Sequence, residues 1–261
     1  MSRTKGRRRK TTQESSIWGI KFPGKELAEI RRHFALLIVI SIITKFAVIF
    51  LTTGVFRSFI DIFDISVYFQ YATQILGGEI PYIDFPLEYP QLSLVVILVP
   101  LIFTMLTQDP STYLVAHQVF MSVFDILTTL LVYLVALRVY NQKSAFISGV
   151  LSATAFSSAY FVLTKYDAFP TFLLMLALFL FVYRKETYGY LSATAGFLAK
   201  WFPGFAIPYF VIHEQISGKS SGAIGRNIVV AAALFLVVTL PFALLNSSGF
   251  LATYTTHTGR S

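Results

Sequence analysis

Apolar runs separated by short polar breaks follow one another from residue 34 to residue 245. Phe34–Val55 is 22 residues with one charge, Lys45. At about 1.5 Å per residue, a helix of that length reaches across a hydrocarbon layer of about 30 Å. Tyr113–Leu137, Ser144–Leu163, Ala168–Tyr183 and Asn227–Leu245 read as further membrane helices. Tyr188–Ile212 is apolar but interrupted by Pro203 and Pro208, and Tyr89–Thr107 carries Pro90 and Pro100. Asp64–Leu76 has a helical pattern and stops at Gly77-Gly78, so the spacing predicts a short helix lying on the outer membrane surface.

Composition agrees with this pattern. Hydrophobic residues make up 55% of the 261 positions and charged residues 13%, against roughly 25% charged in a soluble domain. The absence of Cys excludes a disulfide framework, a thiolate metal site and a thiol nucleophile. The fold class expected is all-α, a polytopic membrane helix bundle.

Charge then orients the chain. Residues 1–32 hold ten Lys and Arg against three Glu, which is +7 of the net +8. A basic run next to a long apolar segment is explained by the positive-inside rule, without a nucleic-acid partner. The basic clusters at 138–143, 184–185 and 219–226 then belong in the cytoplasm as well. If 113–137 runs inward, 89–107 does not cross, and 188–212 rises and returns as two short helices broken near Lys200–Pro203. The result is about seven membrane helices. The organisation expected is a cytoplasmic tail (1–33), a membrane module (34–245) with an outer loop at 56–112, and an outer tail (246–261). Lys45 and Asp125 fall near the middle of spans and are predicted to pair with each other.

This topology gathers Asp64, Asp84, Glu88, Lys165, Asp167, Lys200, His257 and Arg260 on the outer face. Carboxylates and cations at one water–lipid boundary suit chemistry on a phosphate-bearing lipid. No HExxH, P-loop or Rossmann motif is present, so a nucleotide-sugar donor has no visible binding element.

The segment Asp64-Ile-Ser-Val-Tyr68-Phe-Gln-Tyr71-Ala72, with Gly78, Pro81-Tyr82, Asp84, Glu88 and Tyr89-Pro90, resembles the first outer loop of polyprenyl-phosphate-mannose-dependent mannosyltransferases. These are GT-C-fold enzymes, notably glycosyltransferase family 87 and the GPI mannosyltransferases. Phe124-Asp125-Ile126-Leu127, Tyr166-Asp167-Ala168-Phe169-Pro170, and Ala199-Lys200-Trp201-Phe202-Pro203 with Pro208 extend the likeness over about 56–245. The resemblance implies a GT-C-like bundle with juxtamembrane helices in the first outer loop. It further implies a lipid-linked sugar donor, a glycan or glycolipid acceptor, and membrane lipids around the protein. Many members carry further membrane helices beyond the point where this sequence stops, so a fragment or minimal module is expected.

Mannosyl transfer from a lipid phosphate needs a base for the acceptor hydroxyl and cations or donors for the leaving phosphate. Asp64 is the candidate base; its alternative role is an N-cap of the surface helix. Asp61 is a second carboxylate or a solvated loop acid. Asp167 orients the acceptor or contributes to a divalent ion; otherwise it pairs with Lys165 or caps a helix. No other cofactor is suggested. Asp84 and Glu88 are candidates for sugar hydroxyls. Tyr82 and Tyr89 either stack on sugar or sit as interfacial aromatics. Lys200 is the candidate phosphate clamp, with Arg260 and His257 as further cations. Two rival functions remain: a transporter or flippase of lipid-linked sugars, and a catalytically silent membrane scaffold. The membrane expected is the plasma membrane, or the endoplasmic reticulum in a eukaryote.

Overall fold

The computed structural model describes residues 15–17, 20–22, 24–53, 58, 61–104, 107 and 109–255. Arg260, His257 and residues 1–14 of the basic tail lie outside them. A short antiparallel pair, β1 (Ser15–Ile17) and β2 (Ile20–Phe22), precedes the bundle. From Gly24 onward the regular elements are helical. They are α1 (Gly24–Thr53), α2 (Phe63–Leu76), α3 (Ser93–Ile102), α4 (Pro110–Val139), α5 (Gln142–Thr154) and α6 (Phe156–Thr164). There follow α7 (Ala168–Val182), α8 (Glu186–Ala199), a 3-10 turn (Phe202–Phe205), α9 (Ala206–Ile216), α10 (Ser221–Leu245) and α11 (Ser247–Thr255).

Among the described residues three helices are long and apolar enough to cross a membrane, within Leu27–Leu51, Pro110–Val139 and Ser221–Leu245. The predicted span at Ser144–Leu163 is two helices in series. The chain turns extended at Ala155 (φ −61°, ψ 107°) between α5 and α6. The other predicted break lies where Pro203 and Pro208 put it: α8 stops at Ala199, Lys200 is extended, and the 3-10 turn leads into α9. The ten residues of α3 cover about 15 Å, half of a hydrocarbon layer.

Local chemistry sets several of these boundaries. Asp109 caps α4 by accepting from the Thr112 amide (2.9 Å), with Pro110 in the first turn. Asn141 and Ser220 cap α5 and α10 in the same way. Gly78 adopts φ +95° just past α2, a left-handed conformation that glycine takes without a Cβ penalty.

Packing follows the periodicity. Ile30, His33, Leu37, Ser41, Lys45 and Val48 are the buried positions of α1 and form one helical stripe. Ile42, Ile43, Phe46 and Phe50, on the other side, are exposed, as apolar residues that meet lipid would be. α7 and α8 form a tight hairpin, where Gly189 lies against the Ala177 carbonyl. α4 packs against both α5 and α7. Lys45 and Asp125 meet as an ion pair in the interior, their side chains 3% and 8% exposed. That pairing is the one the sequence requires.

Candidate functional site

One end of the bundle collects the polar groups. Three connections meet there: the start of α2, the α6–α7 turn, and the α8–α9 break. The loop between α2 and α3 lies over them, tied to α8 at one point and braced within itself at another. The Leu92 amide donates to the Leu198 carbonyl (2.8 Å), and the Tyr82 hydroxyl donates to the Tyr89 carbonyl (2.7 Å). The end of α10 closes the side, with Phe242 edge-on to Tyr82 (5.0 Å) and Asn246 donating to the Ile83 carbonyl (3.5 Å).

Lys165 is the hub. Its ammonium lies 2.9 Å from Asp64 and 3.2 Å from Asp61. Burial alone would lower its pKa, but the hydrogen bonds it donates to Asp64 and Asp61 outweigh that and hold it above the usual lysine range. Asp61 is pulled below the usual carboxylate range, chiefly by the Phe63 amide and then by Lys165. It is Asp61 that bonds the Phe63 amide at the helix start (3.0 Å). Asp64 is therefore not the N-cap. It sits inside the first turn of α2, half-buried, where the helix dipole favours a carboxylate.

A second pair stands beside the first. Lys200 binds Asp167, and its ammonium also lies 5.0 Å above the Tyr166 ring. Asp167 thus pairs with Lys200 and not with Lys165, and it makes no side-chain cap to α7. The partner changes because the Lys165 side chain is drawn to α2, leaving Asp167 to the break after α8.

Between the pairs lies an aromatic floor. Tyr68, Tyr89 and Tyr166 meet edge to face with ring centroids 5.2–5.6 Å apart. The Tyr68 hydroxyl reaches Asp64 (3.5 Å), and Tyr166 donates to the Ala199 carbonyl (3.3 Å). Burial, and then neighbouring groups, push all three phenols well above their ordinary pKa. They stay neutral and act as hydrogen-bond donors. His117 is buried beneath Tyr68, ring centroids 5.6 Å apart.

The remaining predicted residues fall into place unevenly. Tyr82 is 1% exposed, with φ 67°. It is a core anchor and is available neither for stacking on sugar nor for the interface, because the Pro81–Phe85 turn folds its ring inward. Asp84 is exposed and accepts from the Ile80 amide (2.7 Å), closing that same turn. Glu88 is half-buried beside Tyr89. Lys165, the organising residue, was legible in the sequence as one of the outer-face charges and as a possible partner of Asp167, not as the partner of Asp61 and Asp64.

The divalent ion is a poor fit to these groups. Among the described residues no cluster of three His, Cys, Asp or Glu side chains forms. Asp167 faces one ammonium, and Asp61 and Asp64 share another. Comparison with protein-family models, with characterised proteins and with solved structures finds no match.

Proposed function

We propose that the chain is an inverting GT-C-type hexosyltransferase, or a module of one. It moves a mannosyl or similar sugar from a polyprenyl-phosphate donor to a glycan or glycolipid acceptor. The observation that carries this reading is the meeting of Asp64, Lys165, Asp167 and Lys200 around the Tyr68–Tyr89–Tyr166 floor. These groups come from three connections far apart in sequence, and they meet at one end of the helix bundle.

In this mechanism the Asp64 carboxylate takes the proton of the acceptor hydroxyl as that oxygen attacks the anomeric carbon. The bond from the anomeric carbon to the phosphate oxygen breaks, and its electron pair leaves with the phosphate. Attack from the face opposite the phosphate inverts the sugar. Lys200 offers its ammonium to the leaving phosphate, released in part from Asp167, which holds it in position beforehand. Lys165 fixes the Asp64 carboxylate, and the neutral tyrosines supply a surface for the sugar with hydroxyl donors at its edge.

The same reading takes the bundle as seven crossings: α1, α4, α5–α6, α7, α8, the 3-10 turn with α9, and α10. The site then faces away from the cytoplasm, in the plasma membrane or the endoplasmic reticulum.

The test is transfer from labelled polyprenyl-phosphate mannose by protein purified in detergent, native against Asp64→Asn. Transfer by the native chain, lowered by about a hundred-fold or more in the variant, supports the reading. Folded native protein that transfers nothing, or a variant with the native rate, removes it. Turnover without a sealed membrane separates the enzyme from a transporter.

A further inference from the structure

The opposite end of the bundle holds a cleft that this reaction does not use. α7 is 15 residues long, so the cleft lies roughly 22 Å from Asp167. Its volume is about 440 Å³, and it opens between α4, α7, α9 and the turn into α8. Arg138, Arg184 and Lys219 stand on its wall.

Lys219 is already engaged. It lies 2.6 Å from Glu214 and 3.2 Å from Glu186. Glu214 is buried and also accepts from Tyr190 (3.0 Å) and Asn227 (3.3 Å). That network closes on itself. The two guanidiniums do not join it: among the described residues neither Arg138 nor Arg184 forms an ion pair.

Both are nevertheless positioned. Arg138 lies over the Tyr183 ring (5.9 Å), and Tyr183 is pinned by its hydroxyl to the Leu134 carbonyl (3.0 Å). Arg184 adopts φ 63° in a turn closed by its amide to Phe181 (3.1 Å) and by the Lys185 amide to Leu180 (2.7 Å). A left-handed position of this kind favours glycine or asparagine. An arginine there carries local strain, and its side chain is delivered to the cleft.

The rest of the lining is mixed: Leu178, Phe181 and Val182 make an apolar wall, His213 and Ser217 are polar, and the carboxylates of Glu186 and Glu214 are both held by Lys219. Tyr209 is on the same wall, and along that side of α9 Ile212 and Ile216 are exposed. With Glu186 and Glu214 set against Lys219, the cleft keeps a cationic excess from Arg138 and Arg184, and it is continuous with an exposed apolar surface. Positive-inside charge alone calls for neither a cavity nor a strained arginine.

We propose that this cleft binds the phosphate of an anionic phospholipid headgroup, gripped by Arg138 and Arg184, with the glycerol and upper acyl carbons against the apolar wall. Guanidinium forks match phosphate oxygens pairwise, and basic pockets between membrane helices take up anionic lipid. The site is separate from the transferase reading and stands or falls without it.

Delipidated native protein in detergent is titrated with phosphatidylglycerol, with phosphatidylcholine and with inorganic phosphate. Bound lipid is read by native mass spectrometry and Tm by thermal melting. Phosphatidylglycerol is expected to stay bound and to raise Tm. Arg138→Gln with Arg184→Gln should weaken its binding on the order of ten- to thirty-fold with the lipid-free Tm unchanged. Arg184→Gly suits the left-handed turn and removes the charge, so it carries the test if the double variant does not fold. Equal binding of phosphatidylcholine, equal protection by inorganic phosphate, or native affinity in a folded variant overturns the proposal.

Discussion

Lys45 and Asp125 bring opposite charges into the middle of the bundle. Removing one partner leaves a buried charge unanswered, which costs about 3–5 kcal/mol, whereas replacing both with apolar residues of similar volume is close to neutral. Asp125→Leu is therefore expected to lower Tm sharply in detergent, and Lys45→Met added to it should restore much of the loss. Additive losses would show that the pair is not one unit. The Lys165 hub makes a different prediction, in pH. Lys165 is raised above its ordinary value of 10.5, so its contribution is complete below that value and is lost as pH rises through the higher folded value. Asp61 is lowered from 3.8, so its contribution is present above that value and is lost as pH falls through the lower one. The stability difference between native protein and Lys165→Met should accordingly stay flat from about pH 5 to pH 9 and shrink only outside that window. A slope at neutral pH would mean that another group titrates in contact with the hub. The Lys45–Asp125 pair was legible because a charge inside an apolar run needs a partner, and these two sit at matching depth. The Lys165 partners were not. Asp61 lies 104 positions away and the Lys200–Asp167 contact spans 33, so both depend on how three connections converge. Tyr82 was misread for a related reason: a Pro-Tyr in a polar loop looks like surface until the backbone turns its ring inward.

Single helices show how the site is kept in place. α8 ends at Lys200 because the Lys200 amide still donates to the Gly196 carbonyl (2.8 Å) while the residue itself is extended. Gly196 also allows the 3-10 turn to fold back: a Cβ there would fall 2.6 Å from the Pro203 Cβ and 3.3 Å from the Leu173 Cβ. Gly196→Ala is expected to cost about 1–3 kcal/mol through overpacking and to shift Lys200. Gly225 in α10 is the contrast, since a Cβ there meets nothing within 4 Å. Gly225→Ala should gain about 0.4–1 kcal/mol by narrowing the unfolded ensemble. Thermal melting of the two variants side by side checks both signs, and a loss at Gly225 would mean an unseen neighbour packs there. Pro203 and Pro208 made the break after α8 readable, because proline removes a donor and clashes with the preceding turn. The break at Ala155 carried no such mark. Thr154-Ala155-Phe156 contains neither proline nor glycine, and tertiary packing bends the chain there.

At the scale of the whole molecule the charges divide by end. Asp61, Asp64 and Asp167 meet Lys165 and Lys200 at one end of the α7–α8 hairpin, an acidic excess, and Arg138, Arg184 and Lys219 line the cleft with Glu186 and Glu214 at the other, a basic excess. The 3-10 turn and α9 carry the chain from the first end to the second: four residues at about 2 Å and eleven at about 1.5 Å span roughly 24 Å. That distance falls just short of a hydrocarbon layer of about 30 Å, so the seven-crossing topology requires α9 to sit inside the protein's own rim, with its ends near the two interfaces. Length alone does not decide this; accessibility does. The chain has no Cys, which makes it a ready host for single-cysteine labelling. Glu79 and Ser217 are both exposed, one in the loop after α2 and the other just past α9. With a maleimide that does not cross membranes, Glu79→Cys is expected to label in intact cells and Ser217→Cys only after permeabilisation. Labelling of Ser217→Cys from outside would place both ends of α9 on one side. The basic cleft and the acidic site would then share a compartment, and the inward charge bias could no longer be what orients the chain.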